Sequence, residues 1–134
     1  MVDQGDFMII ATFCSHDCIE GIGVISFCDA VDAPENFIIF QREKNPSESD
    51  VELGMDKMHV QLSDELRSGY DFVSLIKLEE RRVVISLTEK GRKILMVDGE
   101  IVVDAAKCGS ELDSVIENLR VMSEATGVAF VHVE

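Results

Sequence analysis

Apolar runs separated by turn-forming residues organise most of this chain. Phe7 to Cys14 and Ile19 to Cys28 predict two strands, with Ser15-His16-Asp17 as the hairpin tip between them. A loop with Ala33-Pro34 follows, and the four-residue run Phe37-Ile38-Ile39-Phe40 predicts a strand buried on both faces. Glu43 to Asp50 is polar and contains Pro46, so it reads as a loop. Met58 to Leu62 alternates apolar and polar residues, the pattern of a strand with one solvated face, on which His59 is a solvated imidazole. Phe72 to Leu78 and Val83 to Leu87 predict a second strand pair around the charged turn Glu79-Glu80-Arg81-Arg82.

Thr88-Glu89-Lys90-Gly91 opens a short helical segment through Leu95, and Asp98-Gly99 carries a hairpin signal ahead of a strand over Glu100 to Asp104. The clearest helix follows. Ser110 stands at the N-cap with Asp113 three positions on, in the pattern of a capping box. Leu112, Val115, Ile116, Leu119 and Met122 fall on one helical face, and Gly127 supplies a left-handed stop. Val128 to Val133 predicts a last strand or a docked extension. Together these elements predict an α+β fold in one domain over residues 1–134: a mostly antiparallel sheet of about six to eight strands, with a C-terminal α-helix packed on one face.

Charge narrows the function. The 134 residues include 26 acidic and 12 basic ones, a net charge of −14, while 46 % are hydrophobic. That hydrophobic fraction belongs to a folded globule, and the acidity excludes direct nucleic-acid binding because the surface repels phosphates. A basic partner is favoured instead. Met1 to Asp6 carries two acids where a secretory leader is basic, and the apolar stretches reach only seven and eight residues, short of the ~20 that cross a bilayer. The expectation is a cytoplasmic protein without membrane contact, whose four cysteines stay reduced.

Candidate chemistry is sparse. Cys14, His16 and Cys18 form the best cluster, which could hold a soft cation or serve a small metal-binding or thiol-dependent enzyme. There is no second ligand pair later in the chain, and cysteines ending apolar strands are ordinary buried hydrophobes. No nucleophile elbow, phosphate loop, dinucleotide fingerprint or zinc-protease motif appears, so neither catalysis nor a cofactor is expected. A calcium loop counted from Asp50 would place Gly54 fifth and Gln61 twelfth, against the required glycine sixth and glutamate twelfth.

What remains is acid. Residues 1–67 hold 14 acids against 4 basic residues, and residues 68–134 hold 12 against 8. The surplus centres on the segment from Glu43 to Asp56 and on Asp64-Glu65, beside Met55, Met58 and Tyr70, residue types that anchor interfaces. A solvated charge run is the commoner explanation of such a segment.

Three blocks in this region carry a likeness. Phe37-Ile38-Ile39-Phe40-Gln41-Arg42, then Asp50-Val51-Glu52-Leu53-Gly54-Met55-Asp56, then Arg67-Ser68-Gly69-Tyr70-Asp71, in that order and spacing, resemble the immunity protein 10 family of bacterial polymorphic toxin systems. Leu87-Thr88-Glu89-Lys90-Gly91 and the helix from Ser110 occupy the family's later places, so the likeness spans about residues 5–125 and leaves 126–134 as a C-terminal extension. Gln61 stands where the family tends to have an acid, which leaves Asp64 or Glu65 to supply that charge.

The resemblance implies a non-enzymatic inhibitor that binds a cognate toxin, a basic one such as a nuclease, inside the producing cell. Asp50, Glu52, Asp56, Asp64, Glu65 and Asp71 are then expected to meet Lys or Arg of the toxin, with Tyr70 as an aromatic anchor. For Gly54 and Gly69, turn geometry with positive φ is the expected role. A self-associating structural or regulatory module, joined through the edge of a strand in Val128 to Val133, is the alternative from a different class.

Overall fold

Two five-stranded sheets and three helices emerge from these patterns. The computed structural model describes residues 5–63 and 67–133. In chain order the elements are β1 (Phe7–Ile10), β2 (Phe13–Ile19), β3 (Ile22–Cys28), β4 (Phe37–Glu43), α1 (Glu48–Glu52), β5 (His59–Leu62) and β6 (Ser68–Tyr70). They continue with β7 (Val73–Glu79), β8 (Arg82–Leu87), α2 (Glu89–Leu95), β9 (Ile101–Asp104), α3 (Leu112–Ala125) and β10 (Ala129–Val133). The fold is α+β, mostly antiparallel, with a C-terminal helix, as the patterning predicts. Its described residues form ten strands rather than six to eight, divided between two sheets.

The first sheet is a meander in the order β2-β3-β4-β5-β6, antiparallel throughout. Alternation puts Cys14, Phe27, Ile38 and Leu62 in one buried row, and Ile25, Phe40 and Val60 in the next. The second sheet has the order β1-β9-β8-β7-β10. Its centre is antiparallel, but each edge strand pairs in parallel, β1 with β9 and β10 with β7. Ile9, Val103 and Val83 line up across it, as do Ile101 and Ile85. The buried faces of both sheets and the apolar stripe of α3 share one hydrophobic cluster. Leu112, Val115, Leu119 and Met122 of that stripe are buried, as their spacing predicts.

Several local expectations change. Ser15-His16-Asp17 is the middle of β2, and the hairpin turns instead at Glu20 and Gly21, whose φ values of 52° and 82° are both left-handed. Paired left-handed residues give the turn whose twist matches the flanking strands. The strand at Phe37 buries one face only, Ile38 and Phe40, while Phe37 and Ile39 stay partly accessible. The polar loop after it ends in a five-residue helix, α1. Asp98-Gly99 makes no hairpin, because β9 pairs with β8 and β1 while the Gly99 N–H donates to the Gly5 carbonyl at 2.8 Å. Ser110 does not cap α3: Glu111 holds the N-cap position and no side chain bonds there. At the other end Ser123 Oγ donates to the Val128 carbonyl at 2.7 Å, turning the chain into β10. No helix among the described residues is long and apolar enough to cross a membrane.

Candidate functional site

Ser47 and Asp50 build the local frame of the candidate surface. The Ser47 N–H donates to Asp50 Oδ2 at 2.9 Å, and the Asp50 N–H donates to Ser47 Oγ at 3.1 Å. This reciprocal pair satisfies two N–H groups that a helix start otherwise leaves open, so α1 forms although it buries no residue. The chain leaves α1 through Gly54, whose φ of 76° with open space around its Cα is the turn geometry expected there. Val51 and Leu53 consequently point outward, 53 % and 74 % exposed, interleaved with the exposed carboxylate of Glu52.

Gly69 has a different reason to be glycine. It lies within β6 at ordinary φ, and a Cβ there would come within 2.2 Å of the Phe72 ring. Gly91 of α2 meets the same residue from the other side, where a Cβ would lie 2.4 Å from the Phe72 carbonyl oxygen. Phe72, fully buried, thus locks β6 and α2 together around the corner at Asp71. Thr88 completes that corner: its hydroxyl donates to the Asp71 carbonyl at 3.1 Å and accepts the Gly91 N–H at 3.0 Å as the cap of α2.

Tyr70 stands between two depressions. One, about 170 Å³, brings it together with Asp50, Met55, His59, Gln41 and Arg42. The other, about 370 Å³, is walled by Tyr70, Asp71, Leu53, Ile94 and two lysines, Lys57 and Lys90. Within the first, the His59 and Tyr70 rings meet edge to face with centroids 4.8 Å apart. His59 is not the solvated imidazole expected from its place on the polar face of β5. Its Nδ1 is buried without a hydrogen-bond partner, and burial holds its pKa below the usual histidine value.

Of the residues expected to meet a partner, Asp50 and Tyr70 share the smaller depression, while Tyr70 and Asp71 share the larger. Glu52 and Asp56 line neither. Asp64 and Glu65 lie outside the described residues. Met58, read as a surface anchor, is buried in the core. Sequence reasoning missed Leu53, Ile94 and His59. Leu53 had a signal in its position between Glu52 and Gly54 at the end of an acidic run, whereas Ile94 reaches this surface only because α2 folds back onto β6.

The cysteine cluster does not assemble. Cys14, His16 and Cys18 share one face of an extended strand, and at about 3.3 Å per residue the two cysteines stand roughly 13 Å apart along it. Zinc–sulfur bonds of about 2.3 Å cannot span that separation. Among the described residues no group of three or more His, Cys, Asp or Glu side chains is placed to hold a metal ion. Cys14 is buried, and its thiol is pushed up by burial. The Cys108 thiol, donating to the Ala11 carbonyl at 3.7 Å, is pushed up to about 12 by burial and by Cys14. Neither supplies a thiolate nucleophile near neutral pH.

The short helix α1 and Tyr70 thus stand at the surface, while Cys14 and Cys108 are buried in the core. The family model described as Immunity protein 10 matches residues 10–111, and the chain belongs to that family. The match takes in β2 through β9 and stops at Glu111, one residue before α3, a narrower span than the expected 5–125. No curated protein sequence matches the chain.

Proposed function

We propose that this protein binds and neutralises a cognate protein toxin of a polymorphic toxin system, in the cytoplasm of the cell that makes both. Family membership supports the immunity role and, with it, a non-enzymatic one. The observation that favours this surface is α1 itself: a helix that buries none of its residues yet presents Val51 and Leu53 beside Glu52 and Asp50. Apolar centres ringed by charge are the usual anatomy of a specific interface. On this reading Leu53, Tyr70 and Ile94 form the centre of the contact. Asp50, Glu52, Asp56 and Asp71 form an acidic rim that steers a basic toxin, a nuclease being the natural case, and Asp64 and Glu65 add to the acidic charge of the same chain segment.

The test is co-expression with the toxin encoded next to this gene, paired with a binding measurement. Growth should be rescued, and Glu52→Lys with Asp56→Lys should weaken binding about tenfold or more at low salt, at unchanged thermal midpoint. Rescue with unaltered affinity in the double variant moves the interface elsewhere, and failure of rescue rejects the toxin assignment. Asp50 is left out of this pair because it also holds α1 together. Leu53→Ala should cost affinity through apolar contact in a way that salt does not mask.

A further inference from the structure

Beneath α3, on the opposite face of the β2–β6 sheet from Gln41, His59 and Tyr70, lies a cleft of about 370 Å³. We propose that this cleft is a binding site for a small organic oxyanion, a carboxylate or a phosphate monoester carried on an apolar body. Arg42 and Lys44 line it, two of the four basic residues in the first 67 positions of a chain whose net charge is −14. Among the described residues the ion pairs are those of Arg120 with Glu117 and Glu124, so neither Arg42 nor Lys44 is held in an ion pair by a described carboxylate. Asp17 is the single acid in the lining, an anion whose Oδ1 accepts the Cys18 N–H at 2.8 Å, so the lining carries two cations against one anion. An anion in the cleft would meet the two cations together, a local excess of positive charge in an otherwise acidic molecule.

The rest of the cleft suits the body of such a ligand. Gly23 is its buried floor, where a Cβ would stand 3.5 Å from Lys44 Cε and 3.5 Å from Met122 Cε. The absent side chain therefore leaves space between the lysine stem and the α3 methionine that no backbone requirement explains, since Gly23 has ordinary φ. Met122 and Val121 give an apolar wall, and His16 Nε2 lies 3.0 Å from Ser114 Oγ, tying β2 to the start of α3 at one end. The volume falls within the range of small-ligand sites, and a few polar groups among apolar ones is their ordinary composition. Arg42 also borders the depression beside Asp50, so Lys44 and Gly23 are the positions that report on this cleft alone.

The full chain titrated with phenyl phosphate and with benzoate tests the proposal, followed by amide chemical shifts and calorimetry. Inorganic phosphate and benzyl alcohol are the comparison probes. At least one aromatic anion should give saturable shifts confined to β2, β3 and α3, and the tighter of the two identifies the head group. Lys44→Gln should weaken that binding about tenfold, the worth of one charge-assisted hydrogen bond. Gly23→Val should abolish it by filling the floor; should that variant fold poorly, Lys44→Gln still decides. Shifts that do not saturate, equal binding of benzyl alcohol or of inorganic phosphate, or an unaffected Lys44→Gln variant would each overturn the proposal. Toxin binding by the Lys44→Gln variant is expected to be unchanged, which separates this test from that of the α1 surface.

Discussion

Helices α1 and α3 are held in place by opposite means. The shorter has a complete capping box and no buried residue, while the longer has no side-chain cap and five buried residues, Leu112, Val115, Leu119, Met122 and Ser123. Hydrogen bonds fix the local shape of α1 and contribute little to the core, so its apolar side chains remain free for a partner. Burial fixes α3, whose apolar stripe packs mainly into its own core. The contrast teaches that the better-capped helix is the one that keeps its apolar side chains at the surface.

The sharpest way to break the comparison is to truncate a leucine on each helix segment. Leu119→Ala, at a fully buried site, should cost about 2–5 kcal/mol in denaturant unfolding, whereas Leu53→Ala should stay within about 0.5 kcal/mol. Equal losses would mean that α1 also carries the core. Next in size is Asp50→Ala, which removes one half of the capping box at a cost of about 1 kcal/mol to α1. Hydrogen exchange should quicken at the Val51 and Met55 amides, which bond to the Ser47 and Asp50 carbonyls, with the global midpoint almost unmoved.

A smaller effect separates the surroundings of α1 from those of α3 by pH. Burial lowers the pKa of His59, so in the window between that lowered value and the ordinary histidine value near 6.5 the unfolded chain binds a proton that the folded chain refuses. Stability should therefore rise with pH across that window and fall as acid is added through it. His59→Gln should flatten the slope there in urea titrations at several pH values; an unchanged slope would assign it to other groups. Smallest of all is Ser110→Ala, expected within about 0.5 kcal/mol because no side chain caps α3. A loss near 1 kcal/mol would restore Ser110 as the cap.

That last pair shows how much of the molecule its sequence reveals. Both Ser47…Asp50 and Ser110…Asp113 carry the spacing of a capping box, and only the first forms one. Spacing states which bonds are possible, while the direction from which the chain enters the helix decides whether they form; Glu111 enters α3 already in helical conformation. The stripe from Leu112 to Met122 was legible because it reports burial directly. The parallel partners of β1 and β10 were not, since no local pattern says that Phe7 lies against Ile101 or Ala129 against Leu75. At the candidate surface the acids and Tyr70 could be read from composition. The burial of His59 depends on the pairing that sets Tyr70 beside it, and the approach of Ile94 on how α2 packs back onto β6, neither of which a run of neighbouring residues encodes.

Sheet order also sets a timetable. The meander from β2 to β6 pairs each strand with the one just before it, so it can close as the chain emerges from the ribosome. Strand β1 has no such neighbour: Phe7 waits for Ile101, and at about 5–20 residues per second that wait lasts roughly 5–20 s. During it, the apolar Phe7–Ile10 segment stands as an unpaired strand, the kind of nascent segment that chaperones hold and that concentrated refolding loses to aggregation.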